Sequence, residues 1–440
     1  MIEQFINHNL FKKGVERFLA NDPQLVLLED LLFVHPMDWW QEIDWEKPGI
    51  YLLSGGRQIG KTTSLKLLIR EKLLKKEFVP KQIFYLPCDQ VETHQELTRL
   101  LRSFLEDVSV TQRKFLLMID EVTYVKEWDR SIKALADEGW FRRGFCIITG
   151  SDSAILKEAM GRFPGRRGEA QKTDFLLRPL DFGEYVALVA PPLFKNPDQK
   201  SEELLSCFDN YLRCGGHLKA INDLHQKGEV LPATHQTFEQ WIQGDFEKKS
   251  KSPHHLRGVL KAILETSGSQ VSYSSLTQRM GEISKPTFMD YTGFLERLDI
   301  LFSLEAFDQN RRIGFPKKAR KFHFWDPFIL ETTRRWLERE GLVSPSIDWE
   351  PIKVESIVAA HFKKRFSTFY WKGKGEIDVV VVRKKETLFL EVKWTQQSRT
   401  WDVNELKKHK NGVILTRQPT PGFLSDIPLR FLPSFLVEHS

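Results

Sequence analysis

The chain alternates between short unbroken apolar runs and longer segments whose apolar residues recur at helical spacing. In the first half the runs are Ile50–Leu53, Gln82–Leu86, Phe115–Ile119 and Phe145–Ile148. Unbroken apolar runs of this length fit strands buried on both faces, as in a parallel sheet covered by helices. After Gly60, the residues Leu65, Leu67, Leu68, Leu73 and Leu74 take up helical periodicity. This alternation through residues 49–180 predicts a doubly wound α/β core.

The second half reads differently. Residues 183–250 are helical in pattern, broken at Ala190-Pro191-Pro192, and 245–254 form a polar linker. Helical patterns follow at Leu256–Leu264 and Tyr273–Met280, and again after Ser284, which is placed to cap a helix with Pro286 in its first turn. Leu301–Phe307 and Lys321–Trp325 read as strands joined by a loop over 311–321, where six of eleven residues are basic. Gly375–Val382 and Thr387–Trp394 form a hairpin pattern; with the turn centred between 384 and 385, paired residue numbers sum to 769. Asp378 would then face Glu391, and Glu376 would face Lys393, all on one side of the sheet. The predicted division is an N-terminal helical cap at 1–48, the core at 49–180, a helical lid at 181–250, a three-helix-plus-hairpin segment at 251–326 and an α/β segment at 350–440.

Composition sets bounds on function. The 440 residues are 41% hydrophobic and 28% charged, with apolar runs too short to span a bilayer. The N-terminus shows no basic-then-apolar signal, and the four cysteines (88, 146, 207, 214) include no CxxC pair. The expectation is a cytoplasmic protein with reduced thiols and no membrane partner. The net charge of +6 divides unevenly: residues 1–250 hold 34 Lys+Arg against 37 Asp+Glu, and 251–440 hold 31 against 22. A basic excess confined to the last 190 residues suggests an anionic partner there, nucleic acid or a membrane surface. A solvated lysine-rich face is the alternative.

Gly55, Gly56, Arg57, Gln58, Ile59, Gly60, Lys61, Thr62 and Thr63 match the G-x-x-x-x-G-K-[ST] phosphate loop, set between a strand and a helix. Glycines let successive backbone N–H groups turn inward, and the helix N-terminus adds positive potential. Lys61 would meet the β- and γ-phosphates of ATP, and Thr62 would ligate Mg²⁺. The run at 115–119 ends in Asp120-Glu121. Asp120 would hold Mg²⁺ through water, and Glu121 would take a proton from the attacking water. Thr149 and Ser151, after the fourth run, are both candidates to sense the γ-phosphate.

Beyond the loop at 55–63, Ile119–Val122, Trp128, Thr149–Ser151, Arg178–Tyr185 and Tyr211–His217 appear in order. Together they resemble the predicted AAA+ ATPases of archaea and bacteria, from about residue 45 onward. The resemblance implies a P-loop AAA+ core with a parallel sheet and a helical lid. It further implies a winged helix and a C-terminal α/β restriction-endonuclease-like domain. Asp181 stands where that family usually has Ser, and Gly161–Gly168 is longer than its usual Gly-Arg. AAA+ proteins complete each site with an arginine from a neighbouring subunit. Arg162, Arg166 and Arg167 are the candidates, Arg166 foremost, and such a finger implies a homo-oligomeric ring, a hexamer being one form.

A winged helix with a cationic wing would contact DNA phosphates through Arg311, Arg312, Lys317, Lys318, Arg320 and Lys321, unless it serves as a protein-binding module. Glu355, Asp378, Glu391 and Lys393 resemble the D…E-x-K motif of restriction-endonuclease-like proteins, which implies a Mg²⁺-binding nuclease site. Cross-strand ion pairs on an inactive scaffold are the alternative. The leading expectation is an ATP-hydrolysing protein that remodels, translocates on or processes DNA, with branched DNA a substrate by analogy. The alternatives are a nucleotide-dependent signalling or defence switch that binds a protein, and an ATP-gated nuclease.

Overall fold

The computed structural model describes residues 2–440 apart from 112, 113, 162, 164, 282, 385, 395–402 and 421. The chain divides into two compact units, residues 1–178 and 179–440. The first is built on a parallel five-stranded sheet: β1 (Gly49–Gly55), β2 (Ile83–Pro87), β3 (Leu116–Asp120), β4 (Phe145–Gly150) and β5 (Asp174–Leu177), in the order β2-β3-β4-β1-β5. Every residue of β1 to β4 is buried, which is why these strands read as unbroken apolar runs. Leu53 pairs with Thr149, Ile119 with Ile148 and Pro87 with Asp120, so the carboxyl ends of four strands lie along one edge. That edge is where a ligand binds in an open α/β sheet.

The N-terminal segment belongs to this unit and closes the sheet's free side. The Asn9 side chain accepts from Tyr85 N at 2.8 Å and donates to Tyr85 O at 2.8 Å. It thus takes the place of a missing strand beside β2. Trp39 donates its indole N–H to Ser64 (3.2 Å) and Trp40 to Glu71 (2.8 Å), pinning the segment to the helix Lys61–Leu74.

The second unit opens with the helices Phe182–Val189, Ser201–Cys214, Leu218–Lys227 and Pro232–Lys248. The last of these takes up the first four positions of the expected linker. Asp181 caps the first helix, accepting from Glu184 N at 3.1 Å, and its other oxygen pairs with Arg365 at 2.6 Å. Three further helices, Pro253–Thr266, Tyr273–Met280 and Lys285–Arg297, precede a hairpin, and Ser284 caps the third as its sequence predicts. The hairpin is β6 (Leu301–Asp308) and β7 (Ile313–Phe324).

Here the structure corrects the expectation. Most of the basic stretch 311–321 is not a loop but the first part of β7, which pairs with β6 on both sides of a register shift at Glu305/Ala306. The hairpin also joins a larger sheet made with β8 (Ser367–Lys372), β9 (Glu376–Val382), β10 (Thr387–Lys393), β11 (Gly412–Thr416), β12 (Gly422–Leu424) and β13 (Ile427–Phe431). The order is β12-β13-β11-β10-β9-β8-β6-β7. The β9–β10 ladder runs from Thr387–Val382 to Leu390–Val379, each pair summing to 769 as predicted.

Candidate functional site

At the carboxyl edge of the first sheet, the loop after β1 and the end of β3 converge. Gly60 precedes the helix Lys61–Leu74 with φ +94°, and a Cβ there would lie 2.5 Å from Met37 Cε. Only glycine fits that turn without strain. The Lys61 ammonium is buried, donates to Gly55 O (2.9 Å) and Gly56 O (3.0 Å), and stands 3.0 Å from Glu121 Oε1.

Asp120 gathers three hydroxyls. Thr62 and Tyr85 donate to its Oδ2 at 2.7 and 2.6 Å, and Thr149 donates to its Oδ1 at 2.5 Å. Burial, reinforced by Asp120, pushes the Tyr85 phenol well above its ordinary pKa, so it remains a donor. Glu121 sits in the left-handed region at φ 51°, ψ 47°. For a non-glycine residue this costs roughly 1–2 kcal/mol. Its N–H donates to Thr149 Oγ1 (2.8 Å), and its carboxylate accepts from Ser151 N (3.1 Å). Thr149 therefore acts through its side chain and Ser151 through its backbone, a distinction the sequence leaves open.

A cavity of about 440 Å³ adjoins these groups, lined among others by Thr62, Asp120, Glu121, Tyr124, His8 and Asp22. The N-terminal segment, expected from the sequence as a helical cap, thus forms part of the wall. Asp22 pairs with the buried Lys66 at 3.1 Å, and Gln24 accepts from Thr63 at 3.0 Å. Thr63 is turned toward that segment and away from the loop interior. Arg57 lies over the Tyr124 ring at 5.8 Å. Hydroxyl and carboxylate oxygens meeting at Thr62 and Asp120 are the donor set that suits Mg²⁺, so these residues fit the group that the phosphate loop implies.

Residues 47–186 match the AAA domain family. Residues 206–340 match a domain of unknown function, and 348–408 a family described as archaea bacterial proteins of unknown function. The chain is 25% identical over 407 residues to an uncharacterized protein of Methanocaldococcus jannaschii, MJ1637, covering 85% of this chain and 82% of that one. It is 24% identical over 388 residues to an uncharacterized protein of Haemophilus influenzae, covering 83% and 88%. Among solved structures it is similar to the Aeropyrum pernix Orc1 protein in complex with DNA: 16% identity, TM-score 0.36, covering 73% of this chain and 98% of that chain. That overlay is too loose to bear on function.

Two of the arginines expected to act in trans, Arg166 and Arg167, lie by the amino end of β1, where Ile50 N donates to Arg167 O at 3.0 Å. Arg166 pairs with Asp137, and Arg167 makes a two-pronged contact with Asp174 at 2.7 and 3.0 Å. Arg162 lies outside the described residues.

In the second unit, Arg311, Arg312, Lys317 and Lys318 are exposed along the hairpin. Arg320 and Lys321 are not free to meet DNA. Arg320 pairs with Glu305 at 3.2 Å, and Lys321 is fully buried. The Lys321 ammonium contacts Glu376 Oε1 (2.6 Å), Glu355 Oε1 (2.9 Å) and Asp378 Oδ1 (3.2 Å). Position along the strand explains the difference from a solvent-facing wing, since β7 passes from exposed near its start to buried over its last four residues.

Glu355, Asp378, Glu391 and Lys393 do share one region, but their partners differ from the expected ones. Asp378 accepts from Val392 N at 2.9 Å, Lys393 pairs with Glu391 at 2.7 Å, and Glu376 pairs with Lys321. Burial lifts the Glu355 carboxyl to about 8 and that of Glu391 to about 7. Burial alone would lower the pKa of Lys321, yet Glu355, Asp378 and Glu376 hold it well above the ordinary lysine value. Among the described residues, no group of three or more His, Cys, Asp or Glu is placed to hold a metal ion. The Mg²⁺ implied by the nuclease-like motif does not fit here.

Proposed function

We propose that the chain is a Mg²⁺-dependent ATPase that acts on DNA, assembled as a homo-oligomer in which Arg166 of one subunit serves the site of the next. The convergence of Lys61, Thr62, Asp120 and Glu121 at one sheet edge carries the hydrolytic part of this reading. Lys61, held by two backbone carbonyls and Glu121, exchanges those partners for phosphate oxygens when ATP binds. Glu121 is then freed to take a proton from the water that attacks the γ-phosphorus, with ADP leaving. Thr62 and Asp120 would hold Mg²⁺, whose charge would offset that of the phosphates. Thr149 fixes the Asp120 carboxylate and the Glu121 backbone through one hydroxyl.

The exposed Arg311, Arg312, Lys317 and Lys318 support the DNA part, because four cations on one hairpin, in no ion pair among the described residues, suit a phosphate backbone. The test is the ATPase rate of the intact chain over single-stranded, duplex and four-way DNA, with Lys61→Ala as control. DNA should raise the rate, and added salt or reversal of those four charges should remove the rise. A rate indifferent to all three substrates would sink the DNA reading and leave the ATPase standing.

A further inference from the structure

Three carboxylate oxygens, drawn from two elements, point at one position in the second unit, and the ammonium of Lys321 fills that position. Glu355 comes from the helix Glu350–Lys363, while Glu376 and Asp378 come from β9. An ammonium has three N–H donors, and here each finds its own carboxylate within 2.6–3.2 Å. The other oxygens of the two β9 residues are fixed as well. Glu376 Oε2 accepts from the Gln270 amide, and Asp378 Oδ2 from Val392 N. These acids are therefore aimed at the cation by the surrounding chain.

A hard divalent ion would need several oxygens at about 2.0–2.6 Å around a single point. The point that these carboxylates offer is already taken. His323, 3.9 Å from Glu355, adds no second charge, since burial lowers its pKa to about 3. Lys393 is committed to Glu391.

We propose that Lys321 is the resident cation of this cluster, and that its carboxylates become a divalent-metal site only when that ammonium is removed. Because the ammonium is tethered to β7, a metal ion must compete with a cation held at high effective concentration. The intact chain in this conformation has no open metal site at its D…E-x-K motif. The inference is independent of ATP hydrolysis, as it concerns residues of the second unit alone.

The test measures Mn²⁺ binding by titration calorimetry on the full chain, without nucleotide and in an Asp120→Asn background that removes the acidic ligand of the first unit. The background protein should show no Mn²⁺ uptake that depends on Asp378. Adding Lys321→Ala should create one site per chain, at least tenfold tighter than any residual binding, and Lys321→Gln a weaker one. Adding Asp378→Asn should abolish it. Mn²⁺ should also raise the unfolding midpoint of the Lys321→Ala protein but not that of its background.

An Asp378-dependent Mn²⁺ site in the protein with Lys321 intact would overturn the proposal. So would folded Lys321→Ala and Lys321→Gln proteins that gain no site. Variants that stay unfolded even in Mn²⁺ would count against it equally, since the metal should then replace the lost cation.

Discussion

The hydroxyl of Thr149 bridges Asp120 and Glu121, donating to the carboxylate of the first at 2.5 Å and accepting from the backbone of the second at 2.8 Å. Ser151 reaches Glu121 only through its backbone N–H. Thr149→Ala should therefore lower kcat roughly tenfold to a hundredfold, as expected when a buried polar contact worth about 1–3 kcal/mol is lost next to the chemistry. Ser151→Ala should stay within about twofold, because among the described residues no hydrogen bond made by its side chain is lost. Steady-state ATPase rates of the two variants decide the matter. Equal losses would show that the serine side chain also takes part.

Glu121→Gln keeps the side-chain shape but removes the proton acceptor. Its ATPase rate should fall about 10²- to 10⁴-fold while ATP still binds. Lys61→Ala should lose binding as well. A fluorescent ATP analogue measured alongside turnover separates the two effects.

Asn9 is 1% exposed and makes three hydrogen bonds, two of them to the backbone of Tyr85. Asn9→Ala should destabilise the first unit by about 1–3 kcal/mol through the unpaired edge groups it leaves. Thermal or urea unfolding would read this as a lower midpoint. Because Tyr85 also donates to Asp120, a weaker apparent affinity for ATP should accompany it.

Asp326 is fully buried and accepts from Gly216 N at 2.7 Å and Phe328 N at 2.9 Å. Gly215 makes this approach possible, since a Cβ there would lie 2.1 Å from the carboxylate. Burial raises the Asp326 carboxyl to about 7. Between its ordinary value near 3.8 and 7, the folded chain binds a proton that the unfolded chain has released. The Asp326 contribution to stability is therefore largest at acidic pH, falls as pH rises through that window and levels off above it, by a few kcal/mol in all at about 1.4 kcal/mol per unit. Glu355 and Glu391 act in the same direction. Because the buried His235, His323 and His361, held below their ordinary value, act in the opposite direction, the difference in unfolding midpoint between the chain and Asp326→Asn from pH 4 to 8 should trace this fall.

The four buried strands were legible in the sequence because burial on both faces leaves no polar position to blur the run, and their ends agree with the structure to within two residues. The β9–β10 register was legible for a related reason: a tight turn fixes every pair after it. What stayed hidden depends on contacts between distant positions. Asn9 meets Tyr85 across 76 residues, and Lys321 meets Glu355 and Asp378 across 34 and 57. A lysine in a basic stretch reads as exposed unless the strand that carries it is known to enter the core. Thr149 and Ser151 could not be told apart because the difference lies in which atom of each residue is used.

The placement of Lys321 on β7 bears on how the C-terminal region can be studied. A fragment begun near residue 348, where the third family match starts, would contain Glu355, Glu376, Asp378 and Glu391 without the lysine that sits among them. It would also leave the edge of β8 uncovered, since β6 is its neighbour in the sheet. Such a piece would draw divalent ions to a position that Lys321 fills in the whole chain, and any cleavage it showed would be a property created by the cut.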